Sequence, residues 1–209
     1  MDTPIYKDMQ KYFSIAAACA VLFLASCATN PSERGGFPGV PEAPQPPGSI
    51  MGKGSVSREK LAAFLLWNNT MLDSDFAHDL SGLYVEEAAA EGVNHDIAFA
   101  QMCLETGFLR YGGDVKPEQN NYCGLGAIGG GNPGNVFPDP RTGVRAHIQH
   151  LKAYASADPL NQDLVDPRYH YVRLGSAPTI HGLTGTWAAD RMYSDKIAGI
   201  LQRLNEFTF

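Results

Sequence analysis

From Tyr111 to Pro140 the chain is so dense in Gly, Asn and Pro, as in Gly129-Gly130-Gly131-Asn132-Pro133-Gly134, that no helix can persist through it. On both sides of this stretch apolar residues recur at helical spacing. Upstream, Ser57 is a suitable N-cap for a helix with Leu61, Phe64 and Leu65 on one face. From Asp75 the positions Phe76, Leu80, Leu83, Tyr84 and Ala88 keep that period until Gly92, which can close the helix in the left-handed conformation. Asn94 caps a third helix in which Ile97, Ala100, Gln101 and Leu104 share a face, and Gly107 stops it just after Glu105. Downstream, Thr142 can cap a helix carrying Val144, Ile148, Leu151 and Ala155, and Ile197, Ile200, Leu201 and Leu204 stripe a final one. No internal repeat and no strand run strong enough for a large sheet is present. The expected fold is mainly α, with the breaker-rich stretch forming a Gly/Asn-rich loop or a small β-hairpin beside a cleft.

The N-terminus has a different character. Lys7 and Lys11 precede an apolar run from Tyr12 to Leu24, which reads as a secretory signal and falls well short of the roughly 20 residues that cross a bilayer as a helix. The run ends in Leu24-Ala25-Ser26-Cys27, which resembles a bacterial lipobox and implies an acylated Cys27 as the mature N-terminus. Pro and Gly crowd the residues that follow, including Pro41-Glu42-Ala43-Pro44-Gln45-Pro46-Pro47-Gly48, as in an extended tether. The organisation expected is a signal peptide over 1–27, a flexible tether over 28–56 and one folded domain over 57–209. That places the domain in the cell envelope, anchored by lipid to a bacterial membrane and facing the periplasm or the exterior. With Cys19 in the apolar run and Cys27 acylated, only Cys103 and Cys123 remain to the domain; spacing leaves open whether they are bridged or two buried thiols.

A formal net charge of −6 offers no basic face for nucleic acid. Several residues along the chain are suited to chemistry. Glu105 meets the negative end of the helix dipole and has Met102, Leu104 and Phe108 nearby, so dipole and desolvation both favour its neutral form. That suits an acid catalyst, since an unperturbed Glu has a pKa of about 4.3. Gln101 and Asn121 carry amides that can donate and accept together, and Trp187 and Tyr122 offer aromatic faces, so these four are the candidate substrate-binding residues. His147 and His150 share a helix face, as metal ligands often do, but His78, His95, His170 and His181 supply no recognisable third ligand, so no metal is expected.

Four blocks, in order, carry a family resemblance: Ala100-Gln101-Met102-Cys103-Leu104-Glu105-Thr106-Gly107-Phe108; Asn120-Asn121-Tyr122-Cys123-Gly124-Leu125-Gly126-Ala127; Gly143-Val144-Arg145-Ala146-His147-Ile148-Gln149-His150-Leu151; and Trp187-Ala188-Ala189-Asp190-Arg191-Met192-Tyr193-Ser194-Asp195-Lys196-Ile197. Together they resemble the glucosaminidase family, glycoside hydrolase family 73. The resemblance implies a lysozyme-like helical fold and an endo-beta-N-acetylglucosaminidase that hydrolyses the β-1,4 bond after N-acetylglucosamine in peptidoglycan, without a cofactor and as a monomer. It also implies Glu105 as general acid and Tyr193 as the family's functional tyrosine. The partner acid is less clear, since Asp114, Glu118 and Asp139 all lie in the loop; Asp114 is the choice, and a substrate 2-acetamido oxygen can replace a second carboxylate. Two other functions compete: a zinc-dependent cell-wall amidase or peptidase built on His147 and His150, and a peptidoglycan-binding lipoprotein without catalysis.

Overall fold

The computed structural model describes residues 48–209. Five α-helices occur among them: α1 (Arg58–Asn68), α2 (Ser74–Glu91), α3 (His95–Thr106), α4 (Pro140–Ala155) and α5 (Tyr193–Glu206). Single 3-10 turns lie at Pro117–Gln119, Tyr169–Tyr171 and Ile180–Leu183. Pairing between extended segments is limited, among the described residues, to isolated bridges such as Met51 with Val93 and Gly129 with Asn132. The domain is therefore mainly α, with the lysozyme-like helical character that the resemblance implied.

Local chemistry sets the helix ends. Ser57, Asp73 and Asn94 each use a side-chain oxygen to accept a backbone N–H of the first turn, and Gly92 and Gly107 close α2 and α3 at φ 73° and 58°. The fourth helix starts earlier than Thr142. The Asp139 carboxylate accepts from both the Thr142 backbone N–H and its hydroxyl, and Pro140 takes the first helical position, where a missing N–H costs nothing.

Helix α3 is apolar around most of its circumference and sits in the middle. Ile97, Ala98, Phe99, Ala100, Met102 and Cys103 are all buried. Leu80, Tyr84 and Ala88 of α2, Val144, Ile148 and Leu151 of α4, and Ile197 and Leu204 of α5 belong to the same core, and α1 closes it through Leu61 and Leu65. Each large apolar side chain so buried contributes roughly 1.5–3 kcal/mol before chain entropy is counted.

Residues 49–56, assigned above to the tether, are part of the packed domain. Ile50 is fully buried; its N–H donates to Pro178 O at 3.0 Å, and its carbonyl accepts from Asn94 N at 2.8 Å. The Asp96 carboxylate then accepts the backbone N–H groups of Ser55 and Val56. Composition hides this docking because it rests on main-chain hydrogen bonds, which a Gly-rich segment makes as readily as any other. The proposed signal peptide, Cys27 and the tether up to residue 47 lie outside the described residues. No helix among the described residues is long and apolar enough to cross a membrane.

The breaker-rich stretch is a loop held by buried amides and not a hairpin. Gln119 Nε2 donates to the carbonyls of Pro133 and Asn135, and Asn120 Nδ2 donates to that of Phe137. Positive φ at Gly129, Gly130, Gly131 and Gly134 rules out a strand ladder here, and a Cβ at Gly134 would stand 2.5 Å from Leu125 O.

Candidate active site

Glu105 ends α3 at a sharp turn. Gly107, Phe108 and Leu109 all have left-handed φ, near 58°, so the chain leaves the helix axis directly after the acid. Two of these three are not glycine, a run of local strain of the kind that gathers at functional sites. Thr106 Oγ1 stabilises the turn by accepting the Leu109 N–H at 2.9 Å while donating to Met102 O at 2.8 Å.

The Glu105 carboxylate receives two donors on one oxygen. Trp187 Nε1–H donates to Oε1 at 3.1 Å, and the Tyr193 hydroxyl makes a very short hydrogen bond to the same atom. Solvent reaches the side chain, yet burial among surrounding protein atoms is the dominant influence on its acidity. Burial raises the Glu105 pKa above the ordinary carboxylate range, and the Tyr193 and Trp187 donors offset part of that rise.

Beside Trp187 opens a recess of about 220 Å³ lined by Gly124, Ile128, His150, Arg168 and Tyr171 as well as the indole itself. Trp187 is braced edge-on by His150 at 5.0 Å and lies against Tyr154 at 5.4 Å between ring centroids. The acid and the recess therefore share one wall.

Three residues expected to bind sugar do not face the recess. Gln101 is fully buried, with Nε2 donating to Tyr193 Oη at 2.8 Å and Oε1 bonded to His147 Nε2 at 3.0 Å. Asn121 is fully buried too; its Nδ2 donates to Leu125 O and Asn135 O, and its Oδ1 accepts Leu125 N, so it holds the loop closed. Tyr122 is 1% exposed and packs edge-on to Tyr84 in the core. Of the four expected binders, Trp187 alone lines the recess.

Asp114 lies in the irregular segment between α3 and the 3-10 turn at Pro117–Gln119. No hydrogen bond or ion pair among the described residues joins it to Glu105, Tyr193 or Trp187. Asp139 is committed to capping α4, and Glu118 is exposed on the 3-10 turn. A different carboxylate is tied to the lining of the recess. Asp166, 1% exposed, accepts from His150 Nδ1 at 2.7 Å, and Asp166 and Glu105 both raise the pKa of the buried Cys123 thiol that stands near them. Sequence reasoning missed this pair because Asp166 comes from an irregular segment with no motif around it.

The histidines do not form the metal site that their spacing invites. Both ring nitrogens of His147 are engaged, by Gln101 and by Tyr84, and His150 Nδ1 by Asp166. Among the described residues no three His, Cys, Asp or Glu side chains are grouped to hold a metal ion. Cys103 and Cys123 are separate buried thiols, and burial raises the pKa of each.

Comparison with known proteins places these residues in context. Residues 81–206 match the glucosaminidase family, described as mannosyl-glycoprotein endo-beta-N-acetylglucosaminidase. An uncharacterised protein of Borreliella burgdorferi is 44% identical over 158 residues, which cover 76% of this chain and 78% of that protein. Among solved structures, the crystal structure of S. aureus autolysin E in complex with the muropeptide NAM-L-Ala-D-iGlu aligns with a TM-score of 0.48 at 14% identity, over 76% of this chain and 70% of that one.

Proposed function

The chain belongs to the glucosaminidase family, and from that premise we propose that it is a peptidoglycan hydrolase cutting the β-1,4 bond that follows N-acetylglucosamine, with Glu105 as general acid. The observation that supports this reading is the Glu105 carboxyl, whose pKa burial raises and whose Oε1 accepts hydrogen bonds from Tyr193 and from Trp187, a residue that lines the recess. With Oε1 so occupied, the proton belongs on Oε2, from where it passes to the departing glycosidic oxygen. The negative charge left behind is then stabilised by the Trp187 and Tyr193 donors, which strengthen as it develops. Burial and these donors act in opposite directions on acidity, and the net rise is the direction that a general acid requires.

Attack on the anomeric carbon needs a second group. A 2-acetamido oxygen of the substrate can supply one without a protein carboxylate. The glycan strand lies, on this reading, along the recess beside Trp187, with the indole as the stacking face. An acylated Cys27 tethers the enzyme to the membrane at the cell envelope; loss of fatty-acid labelling in Cys27→Ala is the expected result, and labelling that persists contradicts it.

Mass spectrometry of digested sacculi tests the function. New reducing ends terminating in N-acetylglucosamine are expected. Ends terminating in N-acetylmuramic acid contradict the assigned bond, chelator-sensitive release of peptide without new reducing ends favours a zinc amidase, and saturable binding without fragments favours a docking protein.

A further inference from the structure

We propose that Tyr84, His147 and Gln101 form a one-way hydrogen-bond relay, buried behind the site, whose task is to aim the Tyr193 hydroxyl at Glu105. The relay crosses four helices: Tyr84 Oη to His147 Nδ1 at 2.9 Å, His147 Nε2 to Gln101 Oε1 at 3.0 Å, Gln101 Nε2 to Tyr193 Oη at 2.8 Å, and Tyr193 Oη to Glu105 Oε1.

The direction of every hydrogen follows from its last step. A tyrosine hydroxyl has one hydrogen, and Tyr193 donates it to Glu105, so the neighbour on its other side must donate to it. Gln101 therefore presents its NH2 to Tyr193 and its carbonyl oxygen to His147. An oxygen there requires His147 to carry its hydrogen on Nε2, which makes Nδ1 an acceptor, and the Tyr84 hydroxyl supplies the donor. Tyr84, Gln101 and His147 are fully buried and Tyr193 is 4% exposed, so water does not compete at any link. Burial lowers the His147 pKa to about 3, with His150 adding to the shift, which favours the neutral ring that the relay requires.

The device excludes one alternative state. If the Gln101 amide turned over, its oxygen would take the Tyr193 hydrogen, and Glu105 would lose a donor to its charged form. That raises the Glu105 pKa and frees the carboxylate to turn. His147 opposes the flip by offering Gln101 a donor, and the Tyr84 hydroxyl, by donating to Nδ1, gives the Nε2–H tautomer its partner on the other side. The ionisable groups facing Glu105 are Tyr193 from α5 and Cys123 from the loop, beside the Trp187 indole; those facing His147 are Tyr84 from α2 and His150 from its own helix. The three relay members are positioning residues, and their catalytic consequence rests on the reading of Glu105 as the acid.

Two nuclear magnetic resonance measurements on the full chain test the relay without reference to turnover. Nitrogen-15 shifts of His147 are expected to show a neutral ring with hydrogen on Nε2; hydrogen on Nδ1 overturns the proposal. Carbon-13 titration of Glu105 is expected to move to higher pH in Tyr84→Phe, a variant that deletes one hydroxyl of a side chain outside the recess lining. A folded Tyr84→Phe with an unchanged Glu105 titration also overturns it. Should that variant fail to fold, the His147 shifts of the unaltered protein decide alone. In the reducing-end assay Tyr84→Phe is expected to lower kcat about tenfold, the worth of one hydrogen bond, with KM unchanged. If the unaltered protein releases no reducing ends, the glycosidase reading fails, while the tautomer and the titration still judge the relay.

Discussion

Trp187 and Glu105, 82 positions apart in the chain, meet through an indole N–H donated to the carboxylate at 3.1 Å, so the wall that would hold the sugar also touches the acid that would cleave it. Trp187→Phe keeps an aromatic face and removes only the donor. Its loss favours the neutral carboxyl, so the basic limb of the pH–rate profile moves to higher pH, and kcat falls by about 2- to 12-fold. A pH–rate profile measured on sacculi checks both. An unmoved basic limb contradicts the contact.

His147 links the site to acid stability. Its pKa is about 3 in the fold against an ordinary 6.5. Between those values the unfolded chain binds a proton that the folded chain refuses, so stability is complete above about 6.5 and falls as the pH drops toward about 3. The slope is roughly 1.4 kcal/mol per pH unit in the middle of that window. A series of urea melts across the window should lose this one-proton slope in His147→Gln.

The buried pair of Glu91 and Lys152 anchors the segment that carries Asp166 toward the recess. Lys152 Nζ donates to Glu91 at 2.8 Å, both residues are at most 2% exposed, and the same carboxylate accepts the backbone N–H groups of Asn161 and Gln162. Lys152→Met strands a buried carboxylate and should cost about 3–5 kcal/mol in a urea melt. Asp79→Ala, which breaks the solvent-facing pair with Arg58, should cost about 0–1 kcal/mol. Equal costs for the two contradict this ranking.

Gly143 is needed for a close approach and not for its φ. A Cβ there would stand 1.8 Å from Asn120 O, a main-chain carbonyl of the breaker-rich loop. Alanine is the better helix former by about 1 kcal/mol, so propensity alone predicts stabilisation. The clash predicts the opposite sign, a net loss of roughly 1–3 kcal/mol in thermal unfolding.

Much of the fold was readable in the chain because its determinants are local. Ser57, Asn94, Gly92 and Gly107 act at the ends where they stand, and the apolar stripes around them name the core faces. The start of α4 was misplaced because Pro140, a breaker inside a helix, is well suited to a first helical position behind Asp139. The raised pKa of Glu105 agrees in direction with features that lie within a few residues of it in the chain. Gln101 and Asn121 were misread because an amide on a helix or in a loop looks the same whether it faces a groove or a buried partner. The partner that decides for Gln101, His147, lies 46 positions away, and the Asp166 that completes His150 has no pattern to announce it.

Glu105→Gln tests the central claim most directly. The raised pKa of Glu105 means that its charged form weakens the fold as pH rises through that pKa, so a neutral glutamine should leave thermal stability at neutral pH equal or higher. Release of reducing ends from sacculi by this folded variant is predicted to fall by about 10²- to 10⁴-fold, the usual contribution of a general acid. A folded Glu105→Gln that releases them at the rate of the unaltered enzyme contradicts the account.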